Sequence, residues 1–259
     1  MAADVREEPT TRWERLLDLD ADLAEALGGD IAAHARDRIG VATVTFASGS
    51  WEPEAVVALG RRPFALMVCE GLIVRELDLA GTLTADLLGP TDLVAIDPAG
   101  GALLSTGERW HVSGSAKIAV LDDRVLPGLH AWPVLGSRLI SRAARQAARA
   151  AEQRAISQLP RVDLRMCAML WHLAERWGRV SPAGIVVALD LTHATIGRLV
   201  GARRPTVTLA LSKLARDGAV VRRDDGSWVL RVDSNPSGRS VRSTASRRPV
   251  PASAAGPGR

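Results

Sequence analysis

The chain has no tyrosine and only two phenylalanines among its 259 residues. Its core must therefore be built mostly from valine, leucine, isoleucine and alanine. It also has little sulfur to spare. Two cysteines, Cys69 and Cys167, cannot form a disulfide framework and fall short of the thiolates an iron–sulfur cluster takes, so a cytoplasmic setting is expected. No apolar run approaches the ~18 residues that suggest a membrane helix, and no basic-then-apolar start suggests a secretory signal. The five histidines, His34, His111, His130, His172 and His193, lack close metal spacing such as a pair on adjacent helical turns. No metal, no cofactor, no membrane partner and no catalytic site are expected.

What is present is an uneven distribution of charge. Residues 1–132 carry 11 Lys+Arg against 21 Asp+Glu, whereas residues 161–233 carry 12 against 7, and residues 234–259 carry five arginines and no acid. An acidic first half joined to a basic second half suits a sensor coupled to a reader of nucleic acid, because only the reader must meet phosphates. A solvated basic face with a disordered tail would also raise the charge.

Along the chain, residues 1–12 are polar, and Leu16–Leu27 has helical spacing that ends at Gly28-Gly29. Short strands follow, at Val41–Ala47, Phe64–Glu70, Leu72–Asp78, Thr82–Leu88, Leu93–Asp97, Trp110–Val112 and Ala116–Leu121. Short strands at this spacing predict an antiparallel sandwich or barrel. From Pro133 to Leu159 the pattern is helical, with Leu135, Leu139, Ala143, Ala147, Ala150 and Ile156 available for one face and arginines on the others. Arg161–Trp177 is a further amphipathic helix in which Trp171 and Trp177 belong to the core. The tail from Ser234 is rich in Pro, Ser, Gly and Ala and reads as disordered.

The segment Leu191–Arg231 is the most informative. Thr192 stands where an N-cap belongs, Ile196, Leu199 and Val200 give a first helix its apolar stripe, and Gly201 falls where that helix must stop. Val207, Ala210, Leu211 and Leu214 then recur at helical spacing, with Arg203, Arg204, Thr206, Thr208 and Lys213 around them. Gly218 ends this second helix. Val220–Arg223, Asp224-Asp225-Gly226 and Trp228–Arg231 follow as strand, turn and strand. A helix with basic and hydroxyl side chains at its exposed N-terminal end is built to enter a major groove. A plain helical hairpin would share the apolar spacing but not the basic second helix and the wing.

The run LTHATIGRLVGARRPTVTLALSKLARDGAV resembles the DNA-binding module of the Crp/Fnr transcription regulators, with a Thr-led first helix, a Val-Gly turn and the pattern Arg-x-Thr-Val-x-x-x-Leu. FALMVCEGLIVREL is similar to the hairpin of that family's β-roll, with Gly71 at its turn. The resemblance implies an α+β fold: an antiparallel, jelly-roll-like β-roll, a long dimerisation helix and a winged helix-turn-helix. It divides the chain into a flexible N-terminus (1–20), a cyclic-nucleotide-binding-like sensor (21–131), the dimerisation helix (132–160), the DNA-binding domain (161–233) and a disordered basic tail (234–259). It implies a homodimer on double-stranded DNA with a palindromic operator, and RNA polymerase as a partner if the protein activates. Arg204 falls on the family's leading base-contacting Arg, and Thr206 on a phosphate-contacting hydroxyl. Arg203, Thr208, Lys213, Thr192, Arg222 and Arg223 complete the expected DNA-binding set. Pro205 stands where many members carry a Glu, and Leu209 where many carry a second Arg, so the half-site is expected to differ.

In the sensor, the stretch LLGPTDLVAIDPAGGALLSTGERWHVSGSAKIAVLD has Pro90 after Gly89 where the family's phosphate-binding cassette has Glu, and no Arg between Arg75 and Arg109. An anion without a paired cation is poorly held, so a cyclic nucleotide is not the expected effector, which stays unidentified. A cupin-like enzyme on the same β-roll would need clustered His and carboxylate ligands on the barrel strands, and His111 has no such cluster nearby. A third reading is a ligand-binding or protein-interaction module whose DNA domain is vestigial, against which Arg204 argues.

Overall fold

The computed structural model describes residues 10–96 and 106–236. The chain runs β1 (Thr10–Arg15), α1 (Leu16–Leu19), α2 (Ala21–Leu27), α3 (Gly29–Arg36), β2 (Gly40–Phe46), β3 (Gly49–Trp51), α4 (Pro53–Val57), β4 (Ala65–Glu70), β5 (Ile73–Leu79), β6 (Thr82–Leu88), β7 (Leu93–Ala95), β8 (Gly107–Val112) and β9 (Ala116–Leu121). Then come α5 (Leu126–Ala131), α6 (Pro133–Ser157), α7 (Val162–Trp177), β10 (Gly178–Ser181), β11 (Gly184–Val187), α8 (His193–Val200), α9 (Arg204–Arg216), β12 (Val220–Arg222) and β13 (Trp228–Leu230). Among the described residues two compact units result: residues up to Ser157 with Ala194–Arg203, and Gln158–His193 with residues from Arg204 to Pro236.

In the first unit, β1-β2-β9-β4-β7 form one antiparallel sheet and β3-β8-β5-β6 another. The apolar runs of β4 and β9 are continuous because both faces of the five-stranded sheet are buried. Leu66, Val68, Ile118 and Val120 join Phe46, Ile73, Trp110 and Val112 in one cluster. The alternate residues Ala65, Met67, Ala119 and Leu121 pack with Leu16, Leu23, Ala35, Ile39, Leu135 and Leu139 in a second. The expected antiparallel β-roll is present.

Three expectations are corrected here. Residues expected to be flexible up to position 20 are ordered from Thr10: β1 pairs with β2 from Thr10↔Thr45 to Arg15↔Gly40, and Leu16 and Leu17 are buried. FALMVCEGLIVREL is not a hairpin. β4 pairs with β7 and β9, β5 with β6 and β8, so Gly71 carries the chain from one sheet to the other. Its φ is 84° and an added Cβ would lie 2.2 Å from the Ser115 carbonyl oxygen, a conformation and a space that only glycine tolerates.

The third correction concerns α6. Leu135 and Leu139 are buried against their own unit, but the same face continues with polar residues. Arg142, 5% exposed, makes a two-pronged contact with Asp20, the Nη2–Oδ1 arm being 2.7 Å. Asp20 also caps α2 by accepting from Leu23 N–H at 3.1 Å. One and two turns on, Gln146 Oε1 accepts from Leu93 N–H (2.9 Å) and Arg149 Nη2 meets Asp92 Oδ1 (2.7 Å). Gln153 Nε2 then donates to the Ala85 carbonyl at 2.8 Å. Leu93 and Ala85 lie on β7 and β6, the edge strands of the two sheets, whose open backbone groups need such partners. Ala143 and Ala147, expected on the apolar face, are exposed. They face away from the β-roll, where Ile140 is 72% exposed.

Of the cassette-like stretch, residues 97–105 lie outside the described residues, as do 1–9 and the tail from 237. The described part turns its acids inward: Asp92 Oδ2 accepts from Gly89 N–H at 2.9 Å, and Glu108, in β8, accepts from the Trp110 indole at 2.7 Å.

In the second unit, β10-β11-β13-β12 form an antiparallel sheet, and α7 packs on α9. Met166, Cys167, Leu170 and Trp171 of α7 and Val207, Ala210, Leu211 and Leu214 of α9 are buried. Trp177 is partly buried, with the Arg176 guanidinium 4.5 Å from its ring centre.

Candidate nucleic-acid interface

The helix stops read from the sequence are built as glycine turns. Gly201 has φ of 64°, and Ala202 N–H donates to the Gly197 carbonyl at 2.8 Å, the six-to-one bond of a Schellman motif. α9 ends likewise: Gly218 has φ of 68° and donates to Ala215 O at 3.1 Å, and Ala219 N–H reaches Leu214 O at 2.9 Å. Pro205 sits in the first turn of α9, where a missing N–H costs nothing.

The burial of Val207, Ala210, Leu211 and Leu214 leaves the opposite face of α9 outward. Arg204, Thr206, Thr208 and Leu209 are all exposed, Leu209 to 72%. Arg203, in the turn before the helix, and Thr192, just ahead of α8, are exposed too. Thr208 Oγ1 donates back to the Arg204 carbonyl at 3.1 Å, and Ser212 Oγ to that of Thr208 at 2.9 Å.

Lys213 is placed differently from its neighbours. Its ammonium pairs with Asp163 of α7, which also receives Arg161 Nε at 3.0 Å. Hydrogen bonds from Arg161 and then Lys213 hold the Asp163 carboxyl far below the usual carboxylate range, so this anchor stays charged at neutral pH. The fold thus ties Lys213 to α7.

The wing is a tight antiparallel pair, Val220↔Leu230 to Arg222↔Trp228. Gly226 N–H donates to the Arg223 carbonyl at 3.1 Å and Arg223 N–H to that of Ser227 at 2.9 Å, with Gly226 at φ of 80°. Asp225 locks the turn by accepting from Ser227 N–H (2.9 Å) and Oγ (2.6 Å). Arg222 and Arg223 are exposed. The Arg222 guanidinium lies 5.1 Å from the centre of the Trp228 ring and 3.3 Å from Asp190.

His193, which is not among the residues expected to contact DNA, opens α8 with its Nδ1 3.0 Å from Thr208 Oγ1. Partial burial, then Arg222 and Arg204, push its pKa below the ordinary 6.5. Its position beside Thr192 was legible; its approach to the second turn of α9 was not, because fifteen residues and a turn intervene.

A β-roll, a long helix and a winged helix-turn-helix, in that order along the chain, make up the fold seen in Crp/Fnr regulators. Residues 164–233 match the Crp-like helix-turn-helix domain. Over 128 residues the chain is 34% identical to the CRP-like cAMP-activated global transcriptional regulator of Mycobacterium tuberculosis, covering 48% of this chain and 55% of that protein. It therefore spans about half the length of the curated relatives it matches. Among solved structures, a CooA mutant from Carboxydothermus hydrogenoformans superposes with a TM-score of 0.62 at 14% identity, over 84% of this chain and 91% of that one. A cyclic nucleotide-binding domain containing protein from Listeria monocytogenes gives 0.62 at 16%, over 82% and 97%. A CRP-family transcriptional regulator from Thermus thermophilus gives 0.51 at 21%, over 72% and 90%. At these identities the structures establish the shared fold, and the family match establishes a Crp-like helix-turn-helix domain over residues 164–233.

Proposed function

We propose that the protein is a cytoplasmic, non-catalytic transcription regulator that binds double-stranded DNA sequence-specifically as a homodimer. The observation that carries this reading is the outward face of α9. It presents Arg204, Thr206, Thr208 and Leu209 to solvent at the start of a helix flanked by a wing bearing Arg222 and Arg223. Such a helix reads base edges while flanking arginines hold phosphates. Arg204 suits the O6 and N7 of a guanine, and the exposed Leu209 suits a thymine methyl group. Arg203 and Thr192 supply further backbone contacts, whereas Lys213 acts through Asp163 by fixing α9 on α7.

Selection of duplex DNA by the purified protein at one near-physiological salt concentration tests the reading. The expected result is an enriched palindrome with half-site centres about 34–36 Å apart. Salt-sensitive binding without an enriched sequence would show electrostatic attraction alone and defeat the claim of a specific regulator.

The free face of α6 supports the dimer. Ser137, Ile140, Ala144, Ala147, Ala148 and Ala151 are exposed, and small side chains let two helices approach closely. The polar bonds on the other face commit that side to the β-roll. Ile140→Glu is expected to convert the dimer to monomer in sedimentation at micromolar concentration. An unchanged sedimentation coefficient would move the dimer interface elsewhere.

A further inference from the structure

We propose that His193 is a phosphate contact that takes up a proton when the protein closes on DNA, making operator affinity rise as pH falls. This rests on the DNA-binding reading and adds a residue and a linkage to it.

The hydrogen bonds fix which ring nitrogen does what. A threonine hydroxyl has one proton to give, and that of Thr208 goes to the Arg204 carbonyl at 3.1 Å. At 3.0 Å, His193 Nδ1 must then be the donor to Thr208 Oγ1. The neutral ring is therefore the Nδ1–H tautomer, held against α9, and Nε2 is left as the atom with a free valence. Nε2 carries a lone pair while the ring is neutral and becomes an N–H donor once it is protonated, with the bond to Thr208 intact in both states.

The surroundings set the sign. Arg204 faces the ring from α9 and Arg222 from β12, while Asp190, ahead of α8, is paired with Arg222. In the free protein partial burial and two guanidinium groups oppose a third cation and favour the neutral ring. A DNA backbone phosphate brought in by those same arginines reverses the field. It neutralises their repulsion and offers an oxygen for Nε2–H, a charge-assisted bond. The pKa in the complex then exceeds that of the free protein. Such a linkage strengthens binding fully below the free value and loses the gain as pH rises through the bound value. The proton comes from solvent.

The test is fluorescence anisotropy of the full chain on its selected duplex between about pH 5.5 and about pH 8 at constant ionic strength. Wild type is compared with His193→Gln and His193→Asn. Wild-type affinity should fall several-fold across that range, and both variants should show a flat profile. Nitrogen-15 spectra of the imidazole provide a readout independent of affinity: the Nδ1–H tautomer when free, and a pKa raised on adding duplex. A pH dependence that survives in both variants, or a ring pKa unmoved by duplex, overturns the proposal while leaving specific DNA binding standing. Failure of the wild type to select any sequence removes both readings together.

Discussion

Arg204→Ala should lower affinity for the selected duplex by ~1–3 kcal/mol and relax preference at one position of each half-site. The reason lies in where the side chain leaves the helix. Arg204 is the first residue of α9 and fully outward, ahead of Pro205, whose ring cannot replace its hydrogen bonds. A bidentate guanidinium loses two bonds to one base on truncation, and no basic residue follows it in the next two turns of α9, where Leu209 is outward. The contrast is with Arg222→Ala and Arg223→Ala, which should weaken all duplexes alike and reduce the salt dependence of binding by about one counterion each. Anisotropy on the selected and a scrambled duplex separates the two behaviours. Equal losses on both duplexes for Arg204→Ala would mean that it holds phosphate and that another residue reads the base.

The second large effect is one of stability. Arg142→Ala should cost the first unit about 3–5 kcal/mol, because it strands the Asp20 carboxylate in a site only 5% exposed. That carboxylate also caps α2, so the loss is felt at α2 and α6 together. Arg142→Met combined with Asp20→Asn removes both charges and keeps a cap on α2; most of the lost stability should return, since replacing a buried pair by well-packed neutral groups is often neutral. Urea unfolding of the three proteins checks this. If the single and double replacements unfold alike, the ion pair is not what fixes α6 to α2.

These two arginines also mark what the sequence could and could not reveal. Arg204, Gly201 and Gly218 were legible because helix stops and outward faces are local matters: a glycine with positive φ and a cap within five residues decide them. The strands of the β-roll were legible for the same reason, as short apolar runs between turns. Arg142 was not. It occupies a position on α6 where spacing calls for an aliphatic residue, and its partner lies 122 residues away. A reading that follows apolar periodicity assigns such a helix the wrong inward face, and here it favoured Ala143 and Ala147 over Arg142, Gln146 and Arg149. Gly71 misled in a different way. A glycine between two apolar strands signals a turn, and only the pairing partners tell a hairpin from a crossing between sheets. β1 escaped because TTRWER has no apolar alternation; its backbone bonds to β2 hold it, not burial. α3 escaped because Gly28-Gly29 reads as an ending, although Gly28 both closes α2 and opens the next helix.

The two cysteines, dismissed at the outset as too few to build anything, fall one in each unit: Cys69 on β4 and Cys167 on α7. Burial pushes the Cys69 thiol up to about 12 and raises that of Cys167 as well, and only a thiolate attacks an alkylating reagent. Each sulfur therefore reacts slowly while its unit is closed and faster when that unit opens. Two peptides in a labelling time course thus clock the breathing of the β-roll and of the winged-helix unit separately, with no engineered probe.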